Sequence, residues 1–96
     1  MSRTKYKEYA DVWEALDRSP AERRNLRDRS GLMDVIEGII KEQQLTQAQA
    51  AKLFGVSQPR VSDLMRGRID KFSIDALVEW IARAGYRVRF SLEKAA

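Results

Sequence analysis

Neither cysteine nor histidine occurs among the 96 residues. A disulfide scaffold, a thiolate zinc site and catalysis by a Cys or His side chain are excluded together. No apolar run approaches the roughly 18 residues of a membrane span. The opening stretch, MSRTKYKEYAD, has no signal-peptide-like apolar core. A soluble, cytoplasmic protein is therefore expected. There is no Gly-rich phosphate loop and no cluster of metal-ligating residues. Acid–base chemistry would rest on carboxylates, lysines or tyrosines alone. The nearest acidic pair in the basic half, Asp70 and Asp75, has the spacing of ordinary loop and helix-start usage. Neither an enzyme nor a cofactor is expected.

What is present is one domain's length, enough for a single modest core. The net charge is +4, and it is unevenly spread. Residues 1–45 hold nine Lys/Arg and nine Asp/Glu; residues 46–96 hold nine Lys/Arg and five Asp/Glu. The whole surplus lies in the second half. A local excess of this kind suits a polyanion partner, although charge alone favours a solvated surface, and only its coincidence with the motif that follows reverses that preference.

The second half begins with TQAQAAKLFGVSQPRVSDLMRG, Thr46 to Gly67. Thr46 and Gln49 have the spacing of a capping box, and Ala50, Ala51 and Phe54 fall at helical spacing. Gly55 supplies a left-handed helix end. Val56 and Val61 then form a hydrophobic staple around Ser57, the next N-cap, with Pro59 in the first turn. Val61, Leu64 and Met65 face one way; Pro59, Ser62, Asp63 and Arg66 face the other, flanked by Gln58 and Arg60. Gly67 closes this helix. A short helix with so polar an outer side, held against a small-residue helix, is the build of a helix-turn-helix DNA reader.

This stretch resembles the helix-turn-helix of phage Cro/repressor-type (XRE-like) regulators. The longer run through KFSIDALVEWIARAGYRVRFSL resembles the HigA-like antitoxin subgroup, and the likeness spans roughly Leu32 to Leu92. Ala51, Gly55, Val61 and Leu64 stand at the framework positions of that family. The resemblance implies an all-α, five-helix lambda-repressor-like DNA-binding domain with one short C-terminal β-strand.

The flanks complete that expectation. Residues 1–18 carry Tyr6, Tyr9, Val12, Trp13 and Leu16 three or four apart, a short amphipathic helix or arm. It either docks on the domain or anchors a partner. Residues 19–96 form the helix-turn-helix domain. Ser19-Pro20-Ala21-Glu22 is a helix start, and one long helix is expected to about Gln44, with Gly31 as its weak point. Arg23, Arg24, Arg27 and Arg29 are interleaved with Glu22 and Asp28 and read as a solvated face. A further helix starts at Phe72 and Ser73, with Ile74, Leu77, Val78 and Ile81 inward and Trp80 beside them as packing. Tyr86, Val88, Phe90 and Leu92 then alternate with Arg87, Arg89 and Ser91, which is strand periodicity. A lone strand leaves its backbone groups unpaired, so a second subunit or another protein is expected to supply the partner.

By position in the family pattern, the base-contact candidates are Gln58, Pro59, Arg60, Ser62 and Asp63. Gln58 suits adenine, Arg60 guanine or a phosphate, and Pro59 and Ser62 a thymine methyl or base edge. Asp63 either accepts from cytosine or orients Arg60 or Arg66, with the orienting role favoured. Gln47, Ser57, Arg66, Arg68 and Lys71 are the candidates for backbone phosphates. The resemblance implies a homodimer on a pseudo-palindromic double-stranded DNA operator, and the antitoxin likeness adds a toxin protein as partner. The alternatives are a stand-alone or phage-derived repressor and a protein-binding adaptor that does not touch DNA.

Overall fold

A computed structural model describes residues 19–94; the expected arm at residues 1–18 lies outside them. Helix α1, Pro20–Glu42, begins where the sequence places its start. The Glu22 amide donates to Ser19 Oγ (3.1 Å), and the Ser19 amide donates to Glu22 Oε1 (3.0 Å). This reciprocal pair satisfies two of the amides a helix start leaves open. Gly31 does not interrupt α1, which runs 23 residues without a break. Its cost of about 1 kcal/mol relative to alanine is outweighed by burial of Leu26, Met33, Ile36, Ile39 and Ile40 along one side.

Three further helices follow: α2, Gln47–Phe54; α3, Gln58–Met65; and α4, Ile74–Arg83. A 3₁₀ turn at Ile69–Lys71 separates the last two. The four α-helices end alike. Gln44, Gly55, Gly67 and Gly85 each have positive φ (54°, 69°, 74° and 96°). The amide of each donates to the carbonyl three residues back, and the next amide donates five residues back. This closure is why α1 stops at Glu42, two residues short of the expected end.

α1 packs along α4, and α2 sits against α3. Ile36, Phe54, Val61, Leu64 and Leu77 are fully enclosed between them. Trp80 stands at the centre rather than beside the apolar stripe of α4. Its ring stacks on Phe54 (5.5 Å between centroids) and meets Phe72 edge-on (5.5 Å). Leu77 and Ile81 share the buried side of α4, with Ile74 and Val78 half-buried at its margins.

Four of the five expected α-helices lie among the described residues; the fifth, at residues 1–18, falls outside them. The expected C-terminal strand needs correction: among the described residues there is no strand, and residues 86–94 carry no regular secondary structure. The alternating pattern is real, but a ladder needs a second strand, and the described part of the chain offers none. Val88 packs on the core, whereas Tyr86, Phe90 and Leu92 are 47%, 72% and 99% exposed.

Candidate nucleic-acid interface

The α2–turn–α3 unit is built from local rules that hold residue by residue. Thr46 Oγ1 accepts from the Gln49 amide (3.1 Å), and Gln49 Oε1 accepts from the Thr46 amide (2.9 Å). Ala50, Ala51 and Phe54 turn inward, and the two alanines let α3 approach α2 closely. Gly55 reverses the chain, and Ser57 Oγ caps α3 by accepting from the Arg60 amide at 3.4 Å. Val61 and Leu64 are buried beneath α3, which props its opposite side outward.

Gln58 and Pro59 are exposed at the start of α3, beside the exposed cap Ser57. Ser62 and Asp63 are half-buried on the next turn, and Arg66 is exposed at the helix end. Gln47 is exposed at the first position of α2, and Arg68 and Lys71 are exposed on the 3₁₀ turn and its approach. Seven of the ten candidate residues are thus exposed, and among the three half-buried ones Arg60 is turned back. Arg60 is half-buried. Its Nη1 donates to the Lys71 carbonyl (3.0 Å), and its guanidinium lies 4.2 Å from the centroid of the Phe72 ring.

Asp63 orients cations, but not those expected. Its Oδ1 is 3.8 Å from Arg68 Nη1 and its Oδ2 is 3.9 Å from Lys71 Nζ. Arg60 and Arg66, three residues to either side along the helix, are not its ion-pair partners. The chain bends back through the 3₁₀ turn, and that brings later residues nearer to the carboxylate. Arg60, Asp63, Arg68 and Lys71 thus form one corner below α3. Beside this corner, between α1 and the start of α4, lies an open cleft of about 500 Å³ bordered by Arg29, Arg60 and Lys71. Its shape is that of a surface recess, not an enclosing ligand pocket.

Two arginines outside the expected site support the face from behind. Arg29, which the charge pattern places on a solvated face, donates through Nη1 to the carbonyls of Ile69 (3.2 Å) and Phe72 (3.3 Å). A signal was there: Arg29 lies three residues after Leu26 and four before Met33, on the apolar stripe of α1. Arg83 Nη1 donates to the carbonyls of Phe54 (3.3 Å) and Gly55 (3.0 Å), while its Nη2 pairs with Glu79 Oε2 at 2.9 Å. It closes the end of α2 from α4, across 28 and 29 residues of sequence. No local signal marks it.

The sequence model of a helix-turn-helix domain matches residues 15–93. The chain belongs to that helix-turn-helix family. No curated protein matches it in sequence. Membership supports a DNA-binding regulator and concerns the domain as a whole, not a subgroup within it. Among the described residues no helix is long and apolar enough to cross a membrane. Nor do they contain a group of three or more Asp, Glu, His or Cys side chains that could hold a metal ion.

Proposed function

We propose that this helix-turn-helix protein is a sequence-specific transcriptional repressor that acts by occupying a DNA site, without catalysis and without a cofactor. The observation that carries this reading is the outward side of α3. Gln58 and Pro59 are exposed there, on a helix whose Val61 and Leu64 are sealed beneath it. In readers of this architecture the second helix enters the major groove with its N-terminal residues toward base edges. Gln58 then bonds adenine through its amide, while Pro59 and Ser62 contact thymine methyls or base edges. Gln47, Ser57, Arg66, Arg68 and Lys71 take phosphates. Arg60 serves as a positioning residue, since its guanidinium already holds the Lys71 carbonyl.

The test is binding to a duplex selected from a random library, measured by fluorescence anisotropy over a range of salt. Gln58→Ala should cost about 1–3 kcal/mol on the selected duplex and relax discrimination at one base pair. An equal loss on every sequence would remove Gln58 as the base reader. Wild-type protein with no salt-dependent binding to any duplex would overturn the DNA reading and favour the adaptor.

The chain also fits a homodimer on a pseudo-palindromic operator, with half-sites about one helical turn apart or a multiple of that. Its support is the alternating run Tyr86, Val88, Phe90 and Leu92, in which Tyr86, Phe90 and Leu92 are exposed and Val88 is half-buried. Antiparallel self-pairing centred on Phe90 sets Val88 against Leu92 and Arg87 against Glu93 of a second copy. The sharper form of the function is the antitoxin of a type II toxin–antitoxin pair, repressing the operon it shares with its toxin. The resemblance of KFSIDALVEWIARAGYRVRFSL to the HigA-like group supports this form over a stand-alone or phage-derived repressor. An adjacent gene whose product arrests growth, and is neutralised by this chain, is the expected finding. A locus without such a gene leaves the stand-alone repressor as the reading.

A further inference from the structure

We infer that Asp63 is an electrostatic brake on DNA binding: it neutralises Arg68 and Lys71, and so holds down phosphate-driven affinity for any duplex. The inference rests on the DNA-binding reading and assigns Asp63 a role within that same face. Each carboxylate oxygen takes a different cation, at 3.8 Å for Arg68 and 3.9 Å for Lys71. The Asp63 side chain is 20% exposed, against 47% for Arg68 and 52% for Lys71. The acid is therefore the sheltered member of the group, and the two cations reach past it toward solvent.

Both pairs are longer than the roughly 2.7–2.9 Å of a direct charge-assisted hydrogen bond. They are loose and readily exchanged for another anion. A DNA phosphate is such an anion, and it competes with Asp63 for the same two groups. A cation already balanced by a carboxylate contributes less to counterion release than a free one. Once the cations turn to phosphates, the carboxylate is left facing the polyanion. Both effects oppose binding, and both act irrespective of base sequence.

Asp63 is not what shapes the corner. The 3₁₀ turn is held through its carbonyls by other residues: Arg29 binds those of Ile69 and Phe72, and Arg60 binds that of Lys71. The Asp63 backbone fixes the approach to the turn, its carbonyl accepting from the Arg68 amide at 3.0 Å. Removing the carboxylate's charge leaves all of these bonds in place. The charge and the architecture are separable here, which makes the inference testable.

The experiment compares wild type, Asp63→Asn and Asp63→Ser on the selected duplex and on a scrambled one between 50 and 300 mM salt, with urea midpoints as the check on folding. Both variants should bind both duplexes about 5–10-fold tighter at 0.1 M salt, with a salt slope steeper by about one unit. The gain should shrink markedly when Arg68→Ala and Lys71→Ala are also present, leaving only the part due to direct repulsion between the carboxylate and the phosphates. An unchanged slope, or a gain undiminished by removal of the two cations, would overturn the brake. A change confined to one base pair would overturn it in favour of cytosine recognition by Asp63. If wild type binds no duplex, the DNA reading itself fails, an outcome distinct from wild-type binding that the variants leave unaltered.

Discussion

Gly55 is the residue on which the geometry of the interface turns, and two separate constraints meet there. Its φ of +69° lies in the left-handed region, where a side chain costs roughly 1–2 kcal/mol. A Cβ at this position would also stand 3.1 Å from Arg83 Nη1 and 3.2 Å from Arg83 Cδ. The same guanidinium bonds the Phe54 and Gly55 carbonyls, so moving it aside weakens the closure of α2. Gly55→Ala should therefore destabilise the protein by about 1–3 kcal/mol, the backbone penalty plus part of a charged hydrogen bond. Gln44 tests the backbone part alone. It holds φ +54° without being glycine and is exposed. Gln44→Gly should stabilise by about 1 kcal/mol. Urea denaturation of both variants checks the pair. A Gly55→Ala protein as stable as wild type would show that neither constraint operates.

At the scale of elements, helix starts were legible in the sequence because their causes are local. Ser19 with Glu22, Thr46 with Gln49, Ser57 with Arg60 and Ser73 with Ala76 each close within three residues. The apolar underside of α3 was legible for the same reason, its period being written in Val61 and Leu64. Contacts made across the fold were not. Arg29 meets Ile69 and Phe72 over separations of 40 and 43 residues. Asp63 meets Lys71 only because the 3₁₀ turn folds back beneath α3. Residues near one another in sequence were the natural partners to expect, and tertiary geometry supplied others. The Arg29 contact has a measurable weight. Arg29→Met keeps the apolar stem of the side chain but leaves the Phe72 carbonyl without that charged donor. It should lower stability by about 1–3 kcal/mol. Because the turn carries Lys71, the loss should be accompanied by weaker binding to selected and scrambled duplexes alike. A stable Arg29→Met protein with unaltered DNA binding would return Arg29 to the solvated face.

For the whole molecule, the decisive question is whether residues 86–94 pair with a second copy, as the proposed homodimer requires. Their alternation has the period of a strand, yet Phe90 and Leu92 are left 72% and 99% exposed. The proposed homodimer would cover these side chains. Within it, self-pairing about Phe90 would be favoured by charge as well as by apolar contact. The antiparallel register that sets Val88 against Leu92 also sets Arg87 against Glu93 twice, once on each side of the two-fold axis. Cross-strand pairs of this type contribute roughly 0.2–1 kcal/mol each, and like charges placed opposite are destabilising. Arg87→Glu should therefore put glutamate against glutamate at both ends and weaken the dimer. Glu93→Arg alone should weaken it by placing arginine against arginine. The double variant restores opposite charges and should restore the wild-type association constant in sedimentation equilibrium. Its binding to two half-sites one helical turn apart should recover in parallel, while binding to a single half-site stays constant throughout. A protein that sediments as a monomer at micromolar concentration, or single variants that dimerise like wild type, would exclude this register and return the run to a partner of another kind.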